Sequence, residues 1–311
     1  MAAMTIDARR PRSGRSPKRH RATALVGAVL GLATVTFMGV PVPDQTGAAT
    51  PFVTGTSNAS AQVLSVPVEL AGENVGITGA LSNAGYTNLD GQSESELAAS
   101  GLTAELPIPV PPQLAPLEAS STSTLVSSSK TVVGSSGTDL GNEAVAASQS
   151  SGLAATSLFG FSAGSSLVIS GGQSQAAGSV IAGGTRQATS TASVGSISLL
   201  NGLVVLTGLE WSAIQQTGAT PTTSSSFSLG AVKVAGVTLP VAAPSLASTF
   251  ATVNAALATT GIHLTPPRQI VATNGGVTES SLSIGLDNSA LGMQVLGPVI
   301  SAVQPLRNVL F

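Results

Sequence analysis

The sequence predicts a mainly β protein, sandwich- or roll-like and largely antiparallel, with one amphipathic α-helix near residues 245–261 and an apolar helix at the N-terminus. Three observations predict it. Apolar and polar residues alternate over long stretches, as Leu64, Val66, Val68 and Leu70 do with Ser65, Pro67 and Glu69, which is the period of a half-buried strand. Glycine-bearing turn signals punctuate the alternation at Gly171-Gly172, Gly183-Gly184, Asn201-Gly202 and Gly218 through Pro221, and such short turns join antiparallel neighbours. Helical spacing stands out at Leu246, Phe250, Val253 and Leu257. Only 3% of residues are aromatic, so the core must be made of Val, Leu, Ile and Ala.

The chain opens on Arg9, Arg10, Arg12, Arg15, Lys18, Arg19 and Arg21, followed at once by the uncharged run 22–40. A basic head held in the cytoplasm before an apolar helix is an export signal. As a helix the run spans about 28 Å, enough to cross a bilayer. Gly47, Ala48 and Ala49 give the small-residue pattern that a signal peptidase accepts. Cleavage after Ala48 or Ala49 is therefore expected, with retention of 22–40 as a membrane anchor the alternative. Arg9 and Arg10 lack a convincing twin-arginine context, which favours the general secretory route. The expected location is extracytoplasmic: secreted or in the cell envelope.

From Asp44 onward there are five basic and thirteen acidic residues, a net charge of −8. That surface has no basic stripe for phosphates, so nucleic acid is not an expected partner. Cysteine is absent, which excludes disulfide staples, a thiolate metal site and a cysteine nucleophile.

Residues 50–116 read as an N-terminal β-rich subdomain ending in a connector punctuated by Pro107, Pro109, Pro111, Pro112 and Pro116. Residues 117–311 read as the main β-rich domain. Pro67 cannot donate to a ladder, so the strand around it is expected at a sheet edge. Ser120–Ser136 reads as strand surface, with a flexible or glycosylated linker the alternative. The strongest β signal runs from Ser166 to Leu239. In it Leu203, Val205, Thr207, Leu209, Trp211 and Ala213 are expected on one face, and Val204, Leu206, Gly208, Glu210 and Ser212 on the other. Trp211 is expected in the core, its N–H alone needing a polar partner. Pro244-Ser245 and Gly261 bound the helix. Pro266-Pro267 then forces an extended exit toward a strand at Leu282, Ile284 and Leu286, and Pro298–Phe311 reads as a short amphipathic helix.

One catalytic pentad occurs literally. Gly160-Phe161-Ser162-Ala163-Gly164 matches G-x-S-x-G, and Glu210 and His263 follow in the order of an α/β-hydrolase triad. In that reading Ser162 is the nucleophile, His263 its base and Glu210 the orienter. A chain with 35 glycines yields such a pentad by composition, and no βαβ alternation surrounds it. His263 is the one histidine after residue 20, so it is expected to meet the negative end of the helix before it. Glu94 and Glu96, two apart in a polar segment, are a carboxylate pair of the kind a glycosidase places at a sugar site beside aromatic platforms; the only tyrosine, Tyr86, lies in a Gly/Asn-rich stretch, so both are read as solvated loop. Asn58-Ala59-Ser60 has the form of a glycosylation sequon. No catalytic, cofactor-binding or metal-ligating residue is assigned.

The stretch ATSTASVGSISLLNGLVVLTGLEWSA, Ala188–Ala213, resembles a segment of large secreted or cell-envelope proteins of actinobacteria, including those grouped as choice-of-anchor proteins. The pieces ASAQVL (Ala59–Leu64), SFSLGAVKVAGVTLP (Ser226–Pro240), LATTGIHLTPPR (Leu257–Arg268) and VQPLRNVLF (Val303–Phe311) are similar in the same order. The resemblance implies an exported β-rich envelope protein and brings no catalytic residues. It also implies relatives that continue past the VQPLR-like piece toward an anchor, so release, a shortened form and anchoring through 22–40 stay open. The expected function is an exported, non-enzymatic structural or surface protein. Its rivals are a module binding a glycan or apolar ligand between helix 245–261 and the sheet, and a serine hydrolase using Ser162.

Overall fold

A computed structural model describes residues 29–39, 56–70, 73–87, 90–102, 116–133, 139–181, 184–218, 221–241, 246–273 and 275–286. The described chain is mainly β, and every described strand pairing is antiparallel. The strands β1 (Val29–Gly39), β2 (Thr56–Leu70), β3 (Glu73–Thr87), β4 (Asp90–Leu102) and β5 (Leu117–Ser121) follow one another across a first sheet. A turn at 122–125 leads into a second sheet, where β6 (Val126–Val133), β7 (Asp139–Ser148), β8 (Ser151–Ala163), β9 (Leu167–Val180), β10 (Arg186–Leu199), β11 (Val204–Thr217), β12 (Thr222–Val234) and β13 (Val237–Leu239) form an eight-stranded meander. Helix α1 (Leu246–Leu257) then returns the chain to the first sheet. There β14 (Ile262–Thr265) and β17 (Leu282–Leu286) line up beside β1, and the small hairpin of β15 (Gln269–Val271) and β16 (Val277–Glu279) joins β1 further along.

The two sheets pack face to face. Their shared interior is one cluster running from Ala59 and Ala61 in the first sheet to Ile197 and Trp211 in the second. Strands from both sides of the proline-rich connector build the first sheet, since β5 pairs with β4 and β17 pairs with β1. The expected division between 50–116 and 117–311 therefore does not separate two cores; the connector itself, 106–115, lies outside the described residues.

Much of the interior is made of side chains no larger than alanine or serine, and there the sheets touch backbone to backbone. A Cβ built on Gly178 of β9 would stand 2.5 Å from the Cα of Gly85 in β3, and one on Gly152 of β8 would stand 2.5 Å from the Gly85 carbonyl oxygen. Only glycine fits such an approach. Buried hydroxyls stitch the gap. Ser82 and Ser174 pair at 2.8 Å, Ser82 and Thr156 at 3.0 Å, and Ser174 Oγ donates to the Ala80 carbonyl at 2.7 Å. Ser57 Oγ donates to the Gln187 carbonyl at 3.0 Å and Ser93 Oγ to the Ala146 carbonyl at 3.1 Å. Each is a bond from one sheet to the other, so burying these hydroxyls leaves them satisfied.

A seam crosses the second sheet. Pairing passes from Val194↔Gly172 to Ser196↔Ser170, from Val194↔Leu209 to Ser196↔Thr207, and from Leu209↔Leu229 to Thr207↔Ala231. The residues stepped over are Gly171, Gly195, Gly208 and Gly230, of which Gly171 and Gly208 take φ of +59° and +62°. At the seam the side-chain alternation inverts, so Val204 and Leu206 are buried before it and Leu209, Trp211 and Ala213 after it. This corrects the expected single face of Leu203 through Ala213. It also corrects Gly171-Gly172, which lies inside β9 and forms no turn. The first sheet carries a matching seam at Val63 and Ala80, where Gln62↔Leu81 gives way to Leu64↔Gly79. Val63 fills the space over Gly172, where a Cβ would come within 2.6 Å of its Cγ1.

The expected Asn201-Gly202 hairpin joins β10 to β11, with φ of 57° and 82° at those residues. Pro67 sits in β2, which is flanked by both β1 and β3; its edge requirement is met locally, because the pairs with β1 end at Gly31↔Ser65 while Pro67 pairs with Gly76. The helix buries Thr249, Phe250, Val253 and Leu257, close to the expected face. Val29–Gly39, the described part of the apolar run 22–40, pairs in the sheet as β1; an apolar run of this kind does not distinguish helix from strand by periodicity. Residues 1–28 and the expected tail helix at Pro298–Phe311 lie outside the described residues.

Candidate functional site

The outer face of the first sheet carries a cleft of about 870 Å³ across β2, β3, β4 and β5. Two cross-strand rows build it: Asn58, Gly85, Gln92 and Ser120, then Ser60, Asn83, Glu94 and Glu118. Residues directly opposite in a sheet share a face, so amides, hydroxyls and carboxylates converge with no cation among the lining residues. Glu94 stands directly opposite Glu118, a like-charge pair relieved in part by Asn83, whose Nδ2 donates to Glu94 Oε2 at 3.4 Å. Ser120 Oγ donates to Asp90 Oδ1 at 3.0 Å on the rim. The cleft can offer several hydrogen bonds to a polyhydroxylated ligand.

Several sequence expectations change here. Glu94 and Glu96 lie within strand β4, with no loop around them. Tyr86 is buried on β3 and faces the interior, so it is no platform for a sugar. Both segments are rich in Gly, Asn and Ser, which disguised them as loops. Asn58 of the sequon is exposed on β2, in the cleft. The groove expected between helix and sheet is closed instead: Phe250, Val253 and Leu257 belong to the core, and Asn254 grips the Leu264 backbone through Nδ2 to O at 2.8 Å and N to Oδ1 at 2.7 Å.

The triad constellation does not assemble among the described residues. Ser162 is on β8 at a hairpin leading into β9, where its Oγ donates to the Gly164 carbonyl at 3.0 Å. A nucleophile elbow needs strand, sharp turn and helix. Glu210 is exposed on β11 of the same sheet, with β9 and β10 between; Ser162 lines up with Val205 there, so Glu210 lies three strand spacings across and five residues along, about 20 Å away at normal sheet dimensions. His263 is in the first sheet, its ring over Gly285 of β17. It does not cap the helix, because the Leu257 carbonyl is met by the Thr260 backbone N–H at 2.8 Å and hydroxyl at 2.7 Å.

Two carboxyl groups lie in the interior. Glu143 on β7 is buried and pairs with Lys130 of β6 at 3.1 Å. Glu279 on β16 is buried and accepts a 2.7 Å bond from Ser225 Oγ. Burial pushes its carboxyl above the ordinary value of 4.5, and the Ser225 bond offsets part of that rise. Gln215 completes the contact, its Nε2 donating to the Gly275 carbonyl at 2.7 Å. These bonds tie the β15–β16 hairpin to the second sheet.

No family model, curated protein or solved structure matches this chain. Among the described residues no group of three or more His, Cys, Asp or Glu side chains could hold a metal ion, and no helix is long and apolar enough to cross a membrane.

Proposed function

We propose that this chain is an exported, non-enzymatic protein of the cell envelope or surrounding medium, acting by presenting its sheet faces. The observation that carries the reading is the outer face of the second sheet. There Asn142, Ser157, Gln173, Ser193, Glu210 and Ser228 follow one another across six strands, and Gln175, Thr191, Ser212 and Ser226 form the next row. Such a hydroxyl and amide surface, on a scaffold tied from inside, suits contact with hydrated polymers. The basic head and apolar run before residue 41 supply the export route. Fractionation tests it: protein beginning near Thr50 is expected in medium or wall fractions. Protein confined to membranes with Met1 or Ala2 intact would favour the anchor, and confinement to the cytoplasm would sink the reading.

A second reading, a glycan-binding module, is favoured by the cleft of Asn58, Asn83, Gln92, Glu94 and Glu118. Titration with soluble wall polysaccharide is expected to show binding that Asn83→Ala and Gln92→Ala weaken at least tenfold. Binding unchanged by both would move the contact elsewhere.

A further inference from the structure

The margins of the two sheets are guarded unequally. A strand edge is a template for another strand, and proteins protect it with short strands, proline, bulges or charge. In the first sheet β14 has four residues and runs straight into Pro266-Pro267, and β5 has five and follows Pro116. At one side of the second sheet β12 starts after Pro221 and is stepped over at Gly230, and the three-residue β13 beside it stops at Pro240. The other side ends on β6. That strand has eight residues, no proline occurs between 117 and 139, and among the described residues it pairs with β7 alone. Its one charge, Lys130, is turned toward the buried Glu143 at 3.1 Å, so it does not guard the edge. Apolar side chains stand exposed at both ends of the strand: Leu125 at 68%, Val126 at 47% and Val133 at 44%.

We propose that β6 is the interface of a two-fold dimer, pairing antiparallel with β6 of a second copy about Ser129. An isologous contact requires a patch that matches itself, and the choice of centre decides whether it does. A dyad normal to a continuous sheet keeps inner positions opposite inner and outer opposite outer, so it must pass through a residue. On Lys130 it would set ammonium opposite ammonium. On Ser128 it would set Val126 opposite Lys130 and Leu125 opposite Thr131. On Ser129 it sets Val126 opposite Val132, Leu125 opposite Val133 and Ser127 opposite Thr131, apolar against apolar and hydroxyl against hydroxyl. Lys130 then stands opposite Ser128, its charge answered by Glu143 of its own chain. The ladder with β7 has the same centre: its regular part runs from Val126↔Ala147 to Val132↔Gly141 and shifts only beyond Val132. No second described margin is as long, regular and proline-free, so the pairing closes at two copies and does not propagate. The outer faces of the two second sheets join as one hydroxyl and amide surface. β6 keeps this edge whether or not the chain is exported.

The test uses the full chain. Sedimentation of the wild type is expected to show a monomer–dimer equilibrium. Ser129 is exposed, so Ser129→Glu and Ser129→Lys should keep the fold by circular dichroism. Each sets like charges directly opposite across the dyad and should weaken the dimer by roughly fivefold or more, while an equal mixture of the two variants should restore it. The chain has no native cysteine, which permits a second readout. Directly opposite residues lie about 4.5–5.5 Å apart at Cα, within disulfide reach. Ser129→Cys should therefore form covalent dimers on mild oxidation at least tenfold more readily than Ser127→Cys or Thr131→Cys, each of which stands about 14 Å from its own counterpart in this register. A monomer at every concentration would overturn the proposal. So would a dimer that Ser129→Glu leaves intact, a dimer that the mixture fails to restore, or equal linking at all three positions. Species larger than a dimer would assign the edge to head-to-tail pairing with β12 and overturn it as well.

Discussion

The interior of the sandwich is packed in two ways. Between β3 and β8–β9 it consists of Gly85, Gly152, Gly178, Ala154, Ala176 and the Ser82–Thr156–Ser174 hydroxyls. Toward β10, β11, β12 and the helix it consists of Ile197, Leu199, Leu206, Leu209, Trp211, Val232, Phe250 and Leu257. The first region buries little apolar area per residue and is held by close approach and hydrogen bonds. The second is held by the ordinary hydrophobic term, about 25 cal/mol per Å². One fold thus contains a region that tolerates no added atom and a region that tolerates no lost one.

The comparison is broken most severely at Gly178. Gly178→Val places a branched side chain where a single Cβ already meets Gly85 at 2.5 Å, and the obstacle is backbone that cannot rotate away. No soluble folded protein is expected, as read by circular dichroism and gel filtration; a cooperative melt near that of the wild type would refute the backbone-to-backbone packing.

Trp211→Ala probes the other region. The indole is buried and tilted 48° against Phe227 at 4.9 Å between ring centroids. Truncation removes a large apolar surface and leaves a cavity, at a cost of about 3–5 kcal/mol in denaturant melts. Its Nε1 has no hydrogen-bond partner among the described residues, so emission should be blue-shifted. A red emission maximum with unchanged melting would show the ring to be exposed.

A smaller effect is expected at Ser174. Ser174→Ala removes the donor to the Ala80 carbonyl and the partner of Ser82, and should cost about 1–3 kcal/mol by stranding buried polar atoms. Equal or greater stability would mean the hydroxyls are incidental to the interlayer.

The smallest effect concerns pH. The folded state raises the Glu279 pKa by desolvation, so folding favours its protonated form. The stability this contributes is full below the ordinary carboxylate value near 4.5 and is lost as pH rises through the raised value. Glu279→Gln should flatten the acid side of the stability curve, and Ser225→Ala should steepen it. A wild-type curve that rises with pH through that window would reverse the assignment.

The sequence showed the antiparallel strands, the helix face, the hairpin at Asn201-Gly202 and the burial of Trp211, because each follows from local periodicity or turn chemistry. The seam was hidden for the same reason. Gly171-Gly172 has the composition of a turn, and only its alignment with Gly195 on β10 and Gly208 on β11, where the ladders step over one residue on each strand, turns it into an inversion of faces. The cleft was hidden too, since Asn58, Asn83, Gln92 and Glu118 come from four strands that sequence spacing does not align. The separation of Ser162 from His263 followed from topology, which the order of residues in a motif does not contain.

Contact between the glycine backbones of the two sheets has a calorimetric consequence. Unfolding raises heat capacity through newly wetted apolar surface, ordinarily by about 12–15 cal/mol/K per residue, while wetted peptide lowers it. The Ala, Ser and Gly interlayer releases much peptide and little hydrocarbon, so this chain should fall below that range. A low increment flattens the curve of stability against temperature, and the protein should hold its fold with little change from the cold to well above ambient.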